Sequence, residues 1–230
     1  MTCWNIEQDL ARLTSTTLAA EVDLRRPDAG LHRLAIVGQA LAHDLRMLAV
    51  GVNEASAWEL SVAESYARGL DLVATYPQTA ARPYRVQAYW RFVELPASEL
   101  LRGAACVELQ VSINTSLLDT APLVEIGDDL GAGEVVVPAA LENCATILRP
   151  TGAAWSYVRL VHPVDRGAAT NHVATLNTNL LRLPLFGRYL EKGVIMRTRT
   201  HGAIVPRAND EAAAVEIFKD FLHAPLPLTT

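Results

Sequence analysis

Lysine is almost missing from this chain of 230 residues. Lys192 and Lys219 are the only two, and arginine supplies the rest of the 20 basic side chains. A skewed genomic base composition produces such a bias. Whatever its origin, it leaves many planar guanidinium groups that can hold carboxylate or phosphate bidentately. Positive charge is short as well: the net charge is −5 and the pI about 5.7. Without a basic stripe to displace counterions, nucleic acid is excluded as a partner. Cysteine is scarce, and Cys3, Cys106 and Cys144 lie far apart and odd in number, which excludes a thiol redox motif and a zinc-type pair. Free, buried thiols point to a reducing, cytoplasmic setting. Long apolar runs are missing too. The richest stretch, "LHRLAIVGQALAHDLRMLAVGV" (31–52), is interrupted by His32, Arg33, His43, Asp44 and Arg46, so no membrane span is expected. The opening "MTCWNIEQDL" has neither the basic nor the apolar region of a secretory signal. No GxSxG elbow, P-loop or dinucleotide fingerprint occurs, and no cofactor is expected.

What the chain does have is core. Half of its residues are hydrophobic. It shows no repeat and no linker, and reads as a single domain over 1–230. Period-two alternation dominates. "TTLAAEVDL" (16–24) sets Leu18, Ala20, Val22 and Leu24 on one face, followed by the turn "RRPDAG" (25–30). Further strand segments are 57–64, 70–76, 83–93, 105–114, 134–139, 155–163, 172–178 and 193–206. Residues 31–50 fit either a helical stripe of Leu34, Val37, Leu41, Leu45 and Leu48 or two strands; Gly30 and Gly38, bracketing a strand-sized segment, favour strands. One helix is expected at 209–222, opening at Asn209 or Asp210, with Val215, Phe218 and Leu222 in helical spacing joined by Ala214, Ile217 and Phe221. Pro225 and Pro227 stop it. A short helix with Ser98 as its cap is possible at 97–103. The expected fold is mainly β: a large antiparallel two-sheet β-sandwich with the C-terminal helix packed on it.

The polar faces of three strands carry the chemistry. In 83–93, Tyr84, Val86, Ala88, Trp90 and Phe92 read as core, leaving Arg85, Gln87, Tyr89 and Arg91 opposite. In 105–114, Val107, Leu109, Val111 and Ile113 oppose Glu108, Gln110, Ser112 and Asn114; the late strand adds Arg197, Arg199 and His201. Consecutive strands usually pair, so these faces can lie side by side. Guanidinium and amide groups satisfy hydroxyls and carboxylates, and tyrosine offers a stacking plane. The expected binding set is therefore Arg85, Gln87, Tyr89, Arg91, Glu108, Gln110, Arg197, Arg199 and His201. The competing expectation is an ordinary wet sheet face with weak cross-strand pairs.

Other features are weaker. No two of the six histidines have metal-ligand spacing, and no metal site is expected. His172 sits at a loop–strand junction, where a histidine can act as general acid or base. "VEIGDDLGAGE" (124–134) clusters carboxylates among glycines without the EF-hand spacing and reads as a solvated acidic turn. Trp90 and Trp155 read as core rather than as sugar platforms.

"RPDAGLHRLAIVGQAL" (26–41) resembles the early strand–turn–strand of galactose-mutarotase-like proteins, and "TNH" (170–172) is similar to a run that carries an active-site histidine in some aldose epimerases. The resemblance covers under a tenth of the chain. It implies a large antiparallel supersandwich that binds sugar on a concave face through Arg, His and acidic side chains, with a histidine acid and a late glutamate base. His172 stands where that histidine would, but only Glu191, Glu211 and Glu216 follow it, and two of these fall in the terminal helix. The order of parts departs from that of an active epimerase. Three functions are thus in view: a carbohydrate or small anionic ligand bound on one concave sheet face; an epimerase-like enzyme using His172 or His201 as acid and Glu108 as base; and a scaffold with no small-molecule site.

Overall fold

The computed structural model describes residues 3–41, 45–52, 60–141, 144–165, 180–186 and 189–224. Among them are eighteen strands. The first half of the chain forms β1 (Trp4–Glu7), β2 (Leu10–Thr14), β3 (Leu18–Asp23), β4 (Leu31–Ile36), β5 (Gln39–Ala40), β6 (Arg46–Val52), β7 (Glu64–Arg68), β8 (Asp71–Tyr76), β9 (Arg85–Val93) and β10 (Ala105–Asn114). The second half forms β11 (Asp119–Thr120), β12 (Val124–Asp129), β13 (Gly133–Val136), β14 (Ala145–Pro150), β15 (Trp155–Val161), β16 (Leu180–Leu185), β17 (Leu190–Glu191), β18 (Ile195–Pro206) and the helix α1 (Asp210–His223).

Two eight-stranded sheets result. One runs β1-β2-β3-β4-β6-β12-β16, with β5 hairpinned on β4; the other runs β13-β14-β15-β18-β10-β9-β8-β7. β11 and β17 form a small separate ribbon. Pairing is antiparallel throughout. The sheets stack through the apolar half of each alternating strand. Leu18, Ala20 and Val22 of β3, Val86, Ala88 and Trp90 of β9, and Val107, Leu109, Val111 and Ile113 of β10 enter one core. Four polar groups cross this apolar layer to the opposite sheet. The Trp90 indole donates to the Leu48 carbonyl (3.2 Å), and the Tyr76 hydroxyl to that of Leu24 (2.9 Å). Asp128 of β12 accepts from the Tyr157 hydroxyl (2.8 Å) and the Leu48 amide (2.7 Å) and lies 3.0 Å from an Arg159 nitrogen. Burial pushes the Asp128 carboxyl up, and Arg159 pulls it back.

Residues 31–50 form strands where they are described. Val37 and Gly38 both have positive φ (47° and 77°), as a two-residue hairpin between β4 and β5 requires. Gly30, at φ +59°, closes the preceding turn where a Cβ would stand 2.5 Å from the Met47 carbonyl oxygen. Three expectations need correction. Residues 124–134 are not a solvated turn: they supply β12 and the start of β13, and Asp128 is wholly buried. Residues 97–103 form a turn, with Ser98 Oγ accepting the Leu101 amide, and no helix. In 57–64 the strand begins only at Glu64, with 57–59 outside the described residues; the strand expected at 172–178 also lies outside them.

α1 packs on the outer face of the second sheet, over β14, β15 and β18. Its buried stripe is Ala213, Ala214, Ile217 and Phe221, against Cys106, Leu160, Ala203 and Val205; Leu222, expected on that stripe, faces solvent. The helix start is anchored by Asp210, both of whose oxygens take a fork from Arg149 (2.8 and 2.9 Å) while Ser156 Oγ donates at 2.6 Å. The cysteines are free. No helix among the described residues is long and apolar enough to cross a membrane.

Candidate functional site

The outer face of β9, β10 and β18 brings the whole expected binding set together. Register aligns it in rows. Arg91, Glu108 and His201 face one another across the three strands; then come Tyr89, Gln110 and Arg199; then Gln87, Ser112 and Arg197; Arg85 and Asn114 end the ladder. β8 adds Asp71, Val73 and Thr75 beside the first three rows. The face then divides into two halves of different character.

The half nearest α1 is closed. His201 Nε2 lies 3.1 Å from Glu108 Oε2, and both side chains are almost wholly buried. The Phe221 ring stacks on His201 with centroids 3.8 Å apart, and the Arg199 guanidinium lies 5.4 Å from its centre. Arg199 also donates to the Ala224 carbonyl at the end of α1 (3.2 Å). Burial pushes the His201 pKa down, outweighing the Glu108 carboxylate that would raise it. Arg91 does not reach outward either: it forks onto Asp71 at 2.6 and 3.0 Å. His201 and Glu108 therefore bond to each other, with no gap between them for a substrate.

The far half is open. Arg85, Gln87, Ser112, Asn114, Ile195 and Arg197 line a depression of about 100 Å³. Its floor is fixed by a relay in which Tyr89 donates to Gln87 Oε1 (2.9 Å) and Gln87 Nε2 donates to Thr75 Oγ1 (3.1 Å). Burial, then the neighbouring Tyr66, pushes the Tyr89 phenol up, so it remains a donor. Gln110, between the halves, is buried with neither amide atom hydrogen-bonded, and Ser112 Oγ is equally orphaned. Such groups are rare and call for a partner.

Ser112 and Asn114 were legible as polar-face residues but stand outside the expected binding set. Thr75 and Asp71 were hidden, because β8 is buried on both faces and its sequence, DLVATY, shows no alternation that would assign them to a polar face. His172 lies outside the described residues. Among the described residues no group of three His, Cys, Asp or Glu could hold a metal ion. Trp90 is wholly buried in the core and is no sugar platform, and Trp155 is half-buried against the same core. A larger depression, about 510 Å³, lies by β6, β12 and β16, but its one arginine, Arg182, is already paired with Glu125 at 2.7 Å.

Fold and site together define a two-sheet antiparallel β-sandwich with a helix-capped outer face and a cationic depression beside the cap. No protein-family model matches the sequence, and no curated protein does. Solved structures do match. One, titled "Putative kojibiose phosphorylase from human microbiome", superposes at a TM-score of 0.55 with 8% identity, over 97% of this chain and 33% of that one. The chain thus spans about a third of that neighbour's length, and at this identity the likeness is one of fold. It supports the large β-sandwich fold, without singling out the mutarotase type.

Proposed function

We propose that this protein binds carbohydrate on the outer face of β9, β10 and β18 and does so without catalysis. The observation that carries the reading is the convergence of Arg85, Gln87, Ser112, Asn114 and Arg197 around one depression on three registered strands. The fold likeness to part of a protein titled as a sugar phosphorylase supports the ligand class. The closed half supports the absence of catalysis. Paired-group sugar chemistry sets its two groups on the order of 5–9 Å apart across the substrate, whereas His201 and Glu108 are 3.1 Å apart beneath Phe221. A thermal-shift screen of neutral sugars, uronic acids and sugar phosphates tests this. At a hundredfold its dissociation constant, a ligand adds about 2.7 kcal/mol to apparent stability. One sugar class should raise the melting temperature of the parent and not that of an Arg85→Ala/Arg197→Ala variant. Silence across all classes overturns the reading.

A further inference from the structure

The depression between Arg85 and Arg197 differs from the rest of the sheet face in what it lacks. Most described arginines of this sheet are committed: Arg91 to Asp71, Arg149 to Asp210, Arg159 to Asp128. Arg85 and Arg197 have no ion pair among the described residues, and no carboxylate lines the space between them. Protein sites for neutral sugars need acceptors as well as donors, because each hydroxyl is both. Here the balance leans to donors. Two guanidinium groups can only donate, and the Asn114 amide and the Ser112 hydroxyl each offer a donor beside an acceptor oxygen. Gln87 keeps one amide hydrogen after its bond to Thr75, while its carbonyl oxygen is taken by Tyr89. Ser112 Oγ is buried with no hydrogen-bond partner, independent evidence that something polar belongs there.

Size narrows the ligand further. A volume of about 100 Å³ is well below the roughly 300–1,000 Å³ of ordinary ligand pockets. It accommodates one oxyanionic group and leaves a pyranose ring outside. We infer that this depression is an oxyanion site, which takes the phosphate or carboxylate of an acidic sugar between Arg85 and Arg197 and leaves the sugar ring on the rim. The inference rests on the carbohydrate reading for the sugar, and on the donor geometry alone for the anion. Charge-assisted, forked hydrogen bonds supply both the affinity and the discrimination against neutral sugars.

Isothermal titration at fixed ionic strength with inorganic phosphate, glucose 6-phosphate, glucuronate and glucose separates the two claims. The expected result is binding of glucose 6-phosphate and glucuronate, weaker binding of phosphate, and none of glucose. Arg197→Gln or Arg85→Gln should weaken the acidic sugars about 10- to 100-fold, and Ser112→Ala by less, each with the parent's melting temperature. Phosphate bound as tightly as glucose 6-phosphate keeps the oxyanion site and overturns the carbohydrate reading. Glucose bound as tightly as glucose 6-phosphate overturns the oxyanion site and keeps that reading. No binding by any of the four, or acidic sugars bound undiminished by the arginine variants, overturns the site.

Discussion

Asp128 is the residue on which the two sheets most directly depend. It is wholly buried and faces Arg159, itself 6% exposed, with Tyr157 and the Leu48 amide completing its partners. Removing one member of a buried pair leaves the other charge uncompensated, at a cost of about 3–5 kcal/mol. Asp128→Asn should lower unfolding stability by that order in urea titration. A loss below 1 kcal/mol would mean Arg159 finds another acceptor besides the Leu181 carbonyl it already reaches. Gly30→Ala tests a different constraint. The added Cβ meets backbone, at 2.5 Å from Met47 O and 2.6 Å from Ala49 N, where nothing flexible can yield. Destabilisation of more than 1 kcal/mol is expected by the same assay. The sequence hinted at the glycine through its turn "RPDAG" but not at the aspartate. "VEIGDDLG" looks like a wet acidic loop because the arginine and tyrosine that receive Asp128 arrive from β15, some thirty residues later in the chain.

At the scale of elements, legibility followed alternation. β3, β9 and β10 show a clean period of two, and their inward sets were all identifiable. β18 was identifiable by its arginines. β12 and β14 were not, since neither stretch signals its partners locally. The helix was plain from its spacing, but not which polar residues it would bury. α1 lays Phe221 over His201 and Arg199, and places His162 edge-on to the same ring at 5.5 Å. Phe221→Ala should therefore cost about 3–5 kcal/mol and speed hydrogen exchange in α1 before the sheets. Acid should loosen the same contact. Burial, aided by Arg199, holds both His162 and His201 below the ordinary imidazole value; Glu108 and, for His162, Asp165 oppose it. The folded state then binds fewer protons than the unfolded one below about pH 6.5, so this contribution is full above that pH and is lost as pH falls through it. Asp210 acts in the same direction at lower pH. Burial alone would raise its carboxyl, but Arg149 and Ser156 hold it below the usual carboxylate range, so protonation undoes the helix anchor. Urea midpoints measured from pH 7.5 to 5 should decline, and His201→Gln should flatten the decline. An unchanged slope in that variant would assign the effect elsewhere.

Across the whole molecule, the sandwich carries a net charge of −5 yet sets two arginines, with no ion pair among the described residues, around one depression on an outer face. The fold alone would leave that face unremarkable, since a two-sheet stack needs only its inner residues. α1 closes one half of the face and leaves the other open, and that division separates a structural cluster from a site. The most direct measurement is a backbone amide NMR titration with glucose 6-phosphate. The expected shifts are confined to residues 85–87, 112–114 and 195–197, with Gln110 as the inward limit and α1 undisturbed. Shifts gathered instead around Gly51, Glu125 and Arg182, or none at saturating ligand, would contradict it.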